Sequence, residues 1–251
     1  MTGGGLRAQL AVLSLNIEPV GVAMGAGFYR IYRPGGCQGL RPKTSSDPLI
    51  YPSYEDALRN AWTDVLGGLH DDAHRMGAHG LLGVAVTHTW EMSGTPVYQL
   101  QLSGTAVRVP GQPPTERPFL STLSMPDFLK LLLGGWAPCG IAWGVAATHV
   151  HGWASTASLQ GAALANVEMA APTACMQLAR SRLEDAARTT LAATGGDGAV
   201  GMTITLNRLP QACGNGQGVL VDGLILGTAV TAYRLPTQTP SAALDLARRG
   251  S

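Results

Sequence analysis

The fold is decided by a glycine-rich stretch that occurs twice in the chain. It reads Gly77-Ala78-His79-Gly80-Leu81-Leu82-Gly83-Val84 the first time and Gly195-Gly196-Asp197-Gly198-Ala199-Val200-Gly201 the second time. Each copy begins with a glycine where a predicted helix ends, which is typical of a left-handed helix cap, and continues as an apolar strand. Self-similarity at this separation predicts that one structural unit is present twice.

A helix precedes each glycine-rich stretch, over residues 54–77 in the first copy and 172–195 in the second. Apolar residues recur at the spacing of one helix face, and Pro172 suits a first helical turn. The predicted buried stripes are Leu58, Ala61, Val65 and Leu69 in the first helix and Met176, Ala179, Leu183 and Ala187 in the second.

Two further segments recur in the same order. A strand-like segment at 21–27 matches residues 140–146, and Gly104-Thr105-Ala106-Val107 recurs as Gly227-Thr228-Ala229-Val230. Alternation of polar and apolar residues over 97–102 predicts an antiparallel hairpin with one buried face. The second copy is slightly longer, and we assign its extra residues to a hairpin turn at 214–218.

Each unit therefore reads strand, helix, strand, turn, strand. This order predicts the α+β class, with two tandem copies of a small antiparallel sheet, each covered by one main helix. The predicted domains are 1–109 and 120–233, joined by a linker at 110–119 that contains four prolines, and followed by a flexible tail at 234–251.

A short helix is predicted just after the linker. Ser124 is its expected N-cap and Pro126 lies in its first turn. Its predicted apolar stripe is Phe128, Leu131 and Leu132.

Composition limits the classes of function. The net charge is +1 without a long basic run, so nucleic-acid binding is not expected, and no apolar run reaches the ~20 residues of a membrane span. Charged residues make up 13% of the chain, against about 25% in an average protein, which fits either a surface hidden in an oligomer or an alanine- and glycine-rich composition.

The cysteines form no C-x-x-C pair and no signal peptide is recognised, so we expect free thiols and a cytoplasmic location.

Two histidine pairs are the candidate metal ligands. His70 and His74 lie at i and i+4 on the first helix, and His149 and His151 lie at i and i+2 on a strand, so each pair shares a face. Neither pair recurs at the matching positions of the other copy. Ordinary surface or hydrogen-bonded histidines are therefore the favoured interpretation, and a divalent transition metal is the alternative.

No motif predicts catalysis. The sequence lacks a Gly-x-Ser-x-Gly elbow and a phosphate-binding Gly-x-x-x-x-Gly-Lys loop, and the repeated glycines follow a helix rather than precede one. Trp136, Trp143 and Trp153 cluster near the start of the second copy, where they suit either core packing or a protein interface.

The stretch at 77–84, together with Ser103-Gly104-Thr105-Ala106-Val107, resembles the YbjQ-like family, which is also called the heavy-metal-binding domain family. The resemblance covers roughly residues 10–109 and 120–233. It implies a compact α+β fold and ring-like homo-oligomers, typically pentamers of single domains, without an established enzymatic activity. We therefore expect a non-enzymatic oligomeric scaffold or interaction protein without a cofactor, with a protein partner as a further option. The alternative is a heavy-metal-binding protein that uses His and Cys ligands.

Overall fold

The computed structural model describes residues 17–31, 47–91, 97–113, 115–151, 168–213 and 216–232, except for the side chains of 210–217. In this part of the chain it contains three helices and two four-stranded sheets, which confirms the α+β class. The elements in chain order are β1 (Glu18–Arg30), β2 (Leu49–Ile50), α1 (Pro52–Arg75), β3 (Gly80–Glu91), β4 (Val97–Arg108), β5 (Phe119–Leu120), α2 (Met125–Leu133), β6 (Trp136–Val150), α3 (Ala170–Thr194), β7 (Gly198–Cys213) and β8 (Gly216–Ala232).

The three long strands have the same order in both sheets, whereas the short fourth strand lies at opposite ends. The first sheet runs β1-β4-β3-β5 and the second runs β2-β6-β8-β7, with antiparallel pairing everywhere except between β3 and β5. The three long strands of each sheet are connected in the same way, and β1 and β6 carry register shifts at equivalent places, Pro19/Gly21 and Pro138/Gly140.

The glycines that end the two long helices have the conformation expected from the sequence. Gly77 and Gly195 adopt φ of 63° and 71°, in the left-handed region that a glycine enters without a Cβ penalty. Gly83 and Gly201, at the second register shift of each sheet, both have φ of 63°. The φ values of Gly77 and Gly195 confirm the predicted helix ends, whereas the left-handed conformation of Gly83 and Gly201 is not among the features predicted from the sequence.

Each long helix lies very close to one strand of its sheet. A Cβ on Gly144 of β6 would lie 2.7 Å from Cβ of Ala186 in α3, and a Cβ on Gly25 of β1 would overlap the Val65 carbonyl oxygen of α1. The same strands are tied to the helices by their backbone. The Met24 N–H donates to Asp72 Oδ2 at 2.8 Å, and the Trp143 N–H donates to Thr190 Oγ1 at 2.9 Å.

The four layers alternate between sheet and helix. Helix α1 packs against β1 and β4 on one side and against β6 on the other, whereas α3 covers the far face of the second sheet through β6 and β8. The main core therefore lies between the two sheets and includes Trp62 of α1 together with Leu100 of β4 and Val145 of β6. The outer face of β1 has no covering layer among the described residues.

Two short strands cross between the halves. β2, within the predicted first domain, pairs with β6, and β5, at the end of the predicted linker, pairs with β3. The halves thus share hydrogen bonds as well as side-chain contacts. The predicted tail at 234–251 lies outside the described residues.

Three local predictions need correction. In α3 the buried position is Cys175 rather than Met176, which is 40% exposed, because Cys175 lies against the Val150 and Val219 side chains of the second sheet. In α2 the fully buried residues are Phe128 and Leu129, which face Leu82 and Val107. Of the other predicted residues, Leu132 is half-buried against the same cluster, and Leu131 is half-buried outside it. The predicted turn at 214–218 is too long, because Cys213 already pairs with Gly216, so the extra residues lengthen the strands. The N-cap of α2 is as predicted, with the Asp127 N–H donating to Ser124 Oγ at 3.4 Å.

Candidate functional site

A cavity of about 420 Å³ lies between the two halves of the chain. Its walls come from α1, from the segment 117–120, from the first half of β6 and from the end of α3. A cleft of this size between structural units is a common place for a small-molecule site.

Part of the cavity lining is apolar. It comes from Leu66 of α1 and from Ile141 and Trp143 of β6, and the Trp143 indole stacks on that of Trp62 with ring centroids 5.7 Å apart. Trp143 is half-buried, so part of its ring surface remains available to a molecule in the cavity. Core packing, one of the two roles that the sequence leaves open for Trp143, is therefore compatible with an additional role in binding.

His70 contributes to the cavity wall from α1. Burial and, to a smaller degree, the Arg117 charge lower the pKa of His70, although Asp71 and a hydrogen bond to the Pro118 backbone act in the opposite direction. The Nδ1 atom is buried and makes no hydrogen bond to any described residue. His70 is therefore expected to be neutral near pH 7.

Arg117 brings a positive charge to the lining of the cavity. No acidic side chain lies among the described residues that line the cavity, and within the described chain Arg117 takes part in no ion pair. An unpaired guanidinium attracts an anion and repels a metal cation. The His70 wall of the cavity is for this reason a poor metal site.

The other polar groups of the cavity hold the structure together. The Thr190 hydroxyl donates to the Trp143 carbonyl oxygen at 2.6 Å, which fixes α3 to β6. The Cys139 thiol is half-buried, with Sγ 3.9 Å from Thr194 Oγ1.

His74 has a different role from His70, although the sequence pairs them. Its Nδ1 donates to the Thr115 carbonyl oxygen at 3.2 Å. His79 binds the same segment, since its Nδ1 accepts from the Val109 N–H at 3.0 Å and its Nε2 donates to the Pro113 carbonyl oxygen at 2.8 Å. Histidine side chains thus fasten the proline-rich linker to the first half.

The second predicted pair, His149 and His151, does come together. The two rings are nearly perpendicular, with centroids 4.6 Å apart. Burial, with a smaller contribution from His151, lowers the pKa of His149 to about 4, and burial also lowers the pKa of His151. Both rings are therefore neutral near pH 7, which is the form that binds metals.

The described residues do not complete a metal centre around either histidine pair. Within them, no cluster of three or more His, Cys, Asp or Glu side chains could hold an ion. Zinc in a structural site takes four ligands, so the donor set that the structure describes is insufficient.

Arg117 and Cys139 were not predicted as cavity residues, and Trp62 was not predicted as the residue that stacks on Trp143 of the cavity wall. Arg117 lies in the predicted linker, for which no binding role is expected. Trp62 lies in a predicted helix, and nothing in its sequence context indicates a contact with Trp143. Of these residues, only Cys139 has a position that could have drawn attention to it, because it directly precedes the repeated strand segment at 140–146.

Searches of protein-family models and of curated proteins find no match to this chain. Within the described residues, no helix has both the length and the apolar character that crossing a membrane requires.

Proposed function

We propose that this chain is a non-catalytic scaffold built from two copies of one α+β unit, and that copies of the chain associate head to tail into a ring. The observation that supports it is a difference between two equivalent sheet faces. In the second sheet this face is buried within the chain, whereas in the first sheet it is open.

The buried face belongs to β6. Ile141, Val145 and Ala147 are 5%, 3% and 0% exposed and share one core cluster with Leu58 and Trp62 of α1. The contact is reinforced by polar groups, since the Tyr54 hydroxyl lies 3.0 Å from Asp222 Oδ2 of β8. A helix of one unit thus covers the outer sheet face of the next unit.

The open face belongs to β1. Val22, Met24 and Phe28 occupy the positions that correspond to Ile141, Trp143 and Ala147, and they are 66%, 51% and 72% exposed. An exposed apolar row of this kind is typical of an interaction surface.

A helix face that could cover it is also open. Met169 and Met176 are each 40% exposed, and they correspond to Tyr51 and Leu58, which are buried against the second sheet. If α3 of one chain covers β1 of the next, the contact within the chain is repeated between chains. Such a contact joins two different surfaces, so it forms a ring when the rotation closes. The family resemblance favours a pentamer.

The rest of the first sheet's outer face is more polar than its counterpart. Gln99 and Gln101 of β4 stand where the second sheet has Asp222 and Leu224. We therefore expect an association that weakens on dilution rather than a permanent one.

Light scattering across a range of protein concentrations, with and without a chelator, tests the proposal. The expected result is a mass that rises to a fixed multiple of the chain mass and is insensitive to the chelator. A monomer at every concentration would contradict it.

A second candidate function is weak binding of a divalent transition metal by His149 and His151. The supporting observation is the contact of their two neutral rings, together with a His151 Nε2 that is buried without a hydrogen-bond partner among described residues. Equilibrium dialysis against micromolar zinc or copper, with His151→Ala as the matched variant, tests it. Equal metal content in both proteins would remove this candidate.

A further inference from the structure

We infer that the cavity between α1, β6 and α3 binds a small organic monoanion that has an apolar body, such as an aromatic carboxylate. The site is independent of the proposed assembly, because its walls lie within one chain. Its three requirements are a charge for the anion, an apolar surface for the body and sufficient space.

The charge comes from Arg117. It is the one permanently charged side chain among the described residues that line the cavity, and no described acidic residue pairs with it. A guanidinium offers two parallel N–H donors that match the two oxygens of a carboxylate. Since Arg117 is exposed while Pro118 and Leu120 beside it are buried, the anionic group is expected toward the solvent side.

The apolar body of the ligand is expected to lie against the apolar part of the cavity lining. Leu66, Ile141 and the free part of the Trp143 ring form a surface against which a flat ring can lie. Trp143 is held in place from behind by Trp62 and from the backbone by Thr190, so little conformational freedom is lost on binding. A neutral His70 beside this surface is compatible with an uncharged ring.

Gly67 provides a way to fill the cavity without distorting α1. It lines the cavity, and a Cβ built at this position would have no atom within 4 Å. Gly67→Leu therefore occupies the space that the apolar body needs. Gly67→Ala is the matched control, because it makes the same change to the helix backbone and leaves most of the volume free.

Isothermal titration calorimetry with 2-naphthoate and its neutral analogue 2-naphthamide tests the inference. We expect naphthoate to bind the natural chain about tenfold or more tightly than naphthamide, because a charge-assisted hydrogen bond contributes on this scale. Arg117→Gln should abolish this preference and retain naphthamide binding. Gly67→Leu should abolish binding of both molecules, and Gly67→Ala should retain both.

Three results would overturn the inference. They are absence of naphthoate binding to the natural chain, equal affinities for the two molecules, and unchanged binding in Gly67→Leu. Circular dichroism of each variant confirms that the fold is retained, and light scattering confirms that the mass of the assembly is unchanged. A failure of ligand binding is thereby separated from a failure of assembly.

Discussion

Glu55 of α1 and Arg182 of α3 form a two-point ion pair that joins the two halves of the chain. Arg182 Nη2 lies 2.6 Å from Glu55 Oε1, and Arg182 Nε lies 3.0 Å from Oε2. Glu55 also accepts from Arg59 Nη2 at 2.8 Å and from the Ala147 N–H at 3.3 Å, and it is only 3% exposed. One carboxylate therefore connects both long helices to the edge of β6.

Replacing this carboxylate should weaken the contact between the halves. In Glu55→Ala we expect a loss of about 2–3 kcal/mol in the free energy of unfolding, because Arg182 and the Ala147 N–H both lose their acceptor. This expected loss is smaller than that for breaking a fully buried ion pair, since the Arg182 side chain is 33% exposed. Urea denaturation followed by circular dichroism measures it.

Arg188→Ala is the control for this prediction. Arg188 pairs with Asp185 on the exposed face of the same helix, with both side chains about 70% exposed. Its loss should cost less than about 0.5 kcal/mol, beyond any change in helix propensity. Similar losses in the two variants would show that the buried carboxylate has no special role.

The packing within each half of the chain could be predicted from the sequence, but the contact between the two halves could not. The buried stripe of α1 and the alternation of Tyr98, Leu100 and Leu102 follow from helix and strand periodicity, and all these side chains are buried as predicted. Periodicity is local, so it cannot predict a pair such as Glu55 and Arg182, whose residues are 127 positions apart. In the sequence Glu55 is only an acidic residue in a first helical turn.

The candidate site shows the same limit. The spacing of His70 and His74 predicts a shared site, yet the two residues contact different parts of the chain. The cavity combines residues from α1, the linker and β6, and no sequence pattern connects these segments. The exposure of Val22, Met24 and Phe28 on β1 could not be predicted from the sequence either. The corresponding residues of β6 have a similar apolar composition, yet they pack in or against the main core.

The proposed assembly predicts that a charge on the outer face of β1 separates the chains. Phe28→Lys should lower the mass measured by light scattering toward that of a monomer, because a lysine cannot be buried there without a partner. The free energy of unfolding of the single chain should change by less than about 0.5 kcal/mol, since Phe28 is 72% exposed.

Leu133→Lys is the matched control for Phe28→Lys. Leu133 is an exposed apolar residue at the end of α2, 73% exposed, and it belongs to neither β1 nor α3, the two elements of the proposed contact. This variant should keep the mass of the natural chain. An unchanged mass in Phe28→Lys, or an equal decrease in both variants, would contradict the proposed contact.

The close approach of helix and strand makes Gly25 and Gly144 sensitive to a single methyl group. In Gly144→Ala the new Cβ would lie 2.7 Å from Cβ of Ala186 and 3.0 Å from the Leu183 carbonyl oxygen, so α3 must move away from β6. We expect a loss of about 1–3 kcal/mol in the free energy of unfolding, and a similar or larger loss in Gly25→Ala. Gly67→Ala, which meets no atom, should instead gain about 0.5–1 kcal/mol through helix propensity. Equal stability of all three variants would contradict the close approach of each helix to its strand.

The buried imidazole of His149 predicts a loss of stability in acid. Burial lowers its pKa from 6.5 to about 4 in the folded chain, so between these values the unfolded chain binds a proton that the folded chain does not. The contribution of the neutral ring is therefore complete above pH 6.5 and is lost as the pH falls toward 4, by about 3 kcal/mol in total. Urea denaturation at a series of pH values, with a chelator present, measures how steeply the free energy of unfolding depends on pH.

His149→Phe should reduce this pH dependence even if it also changes the stability at neutral pH, because the substituted side chain cannot take up a proton. An equal slope in both proteins would assign the acid sensitivity to other groups.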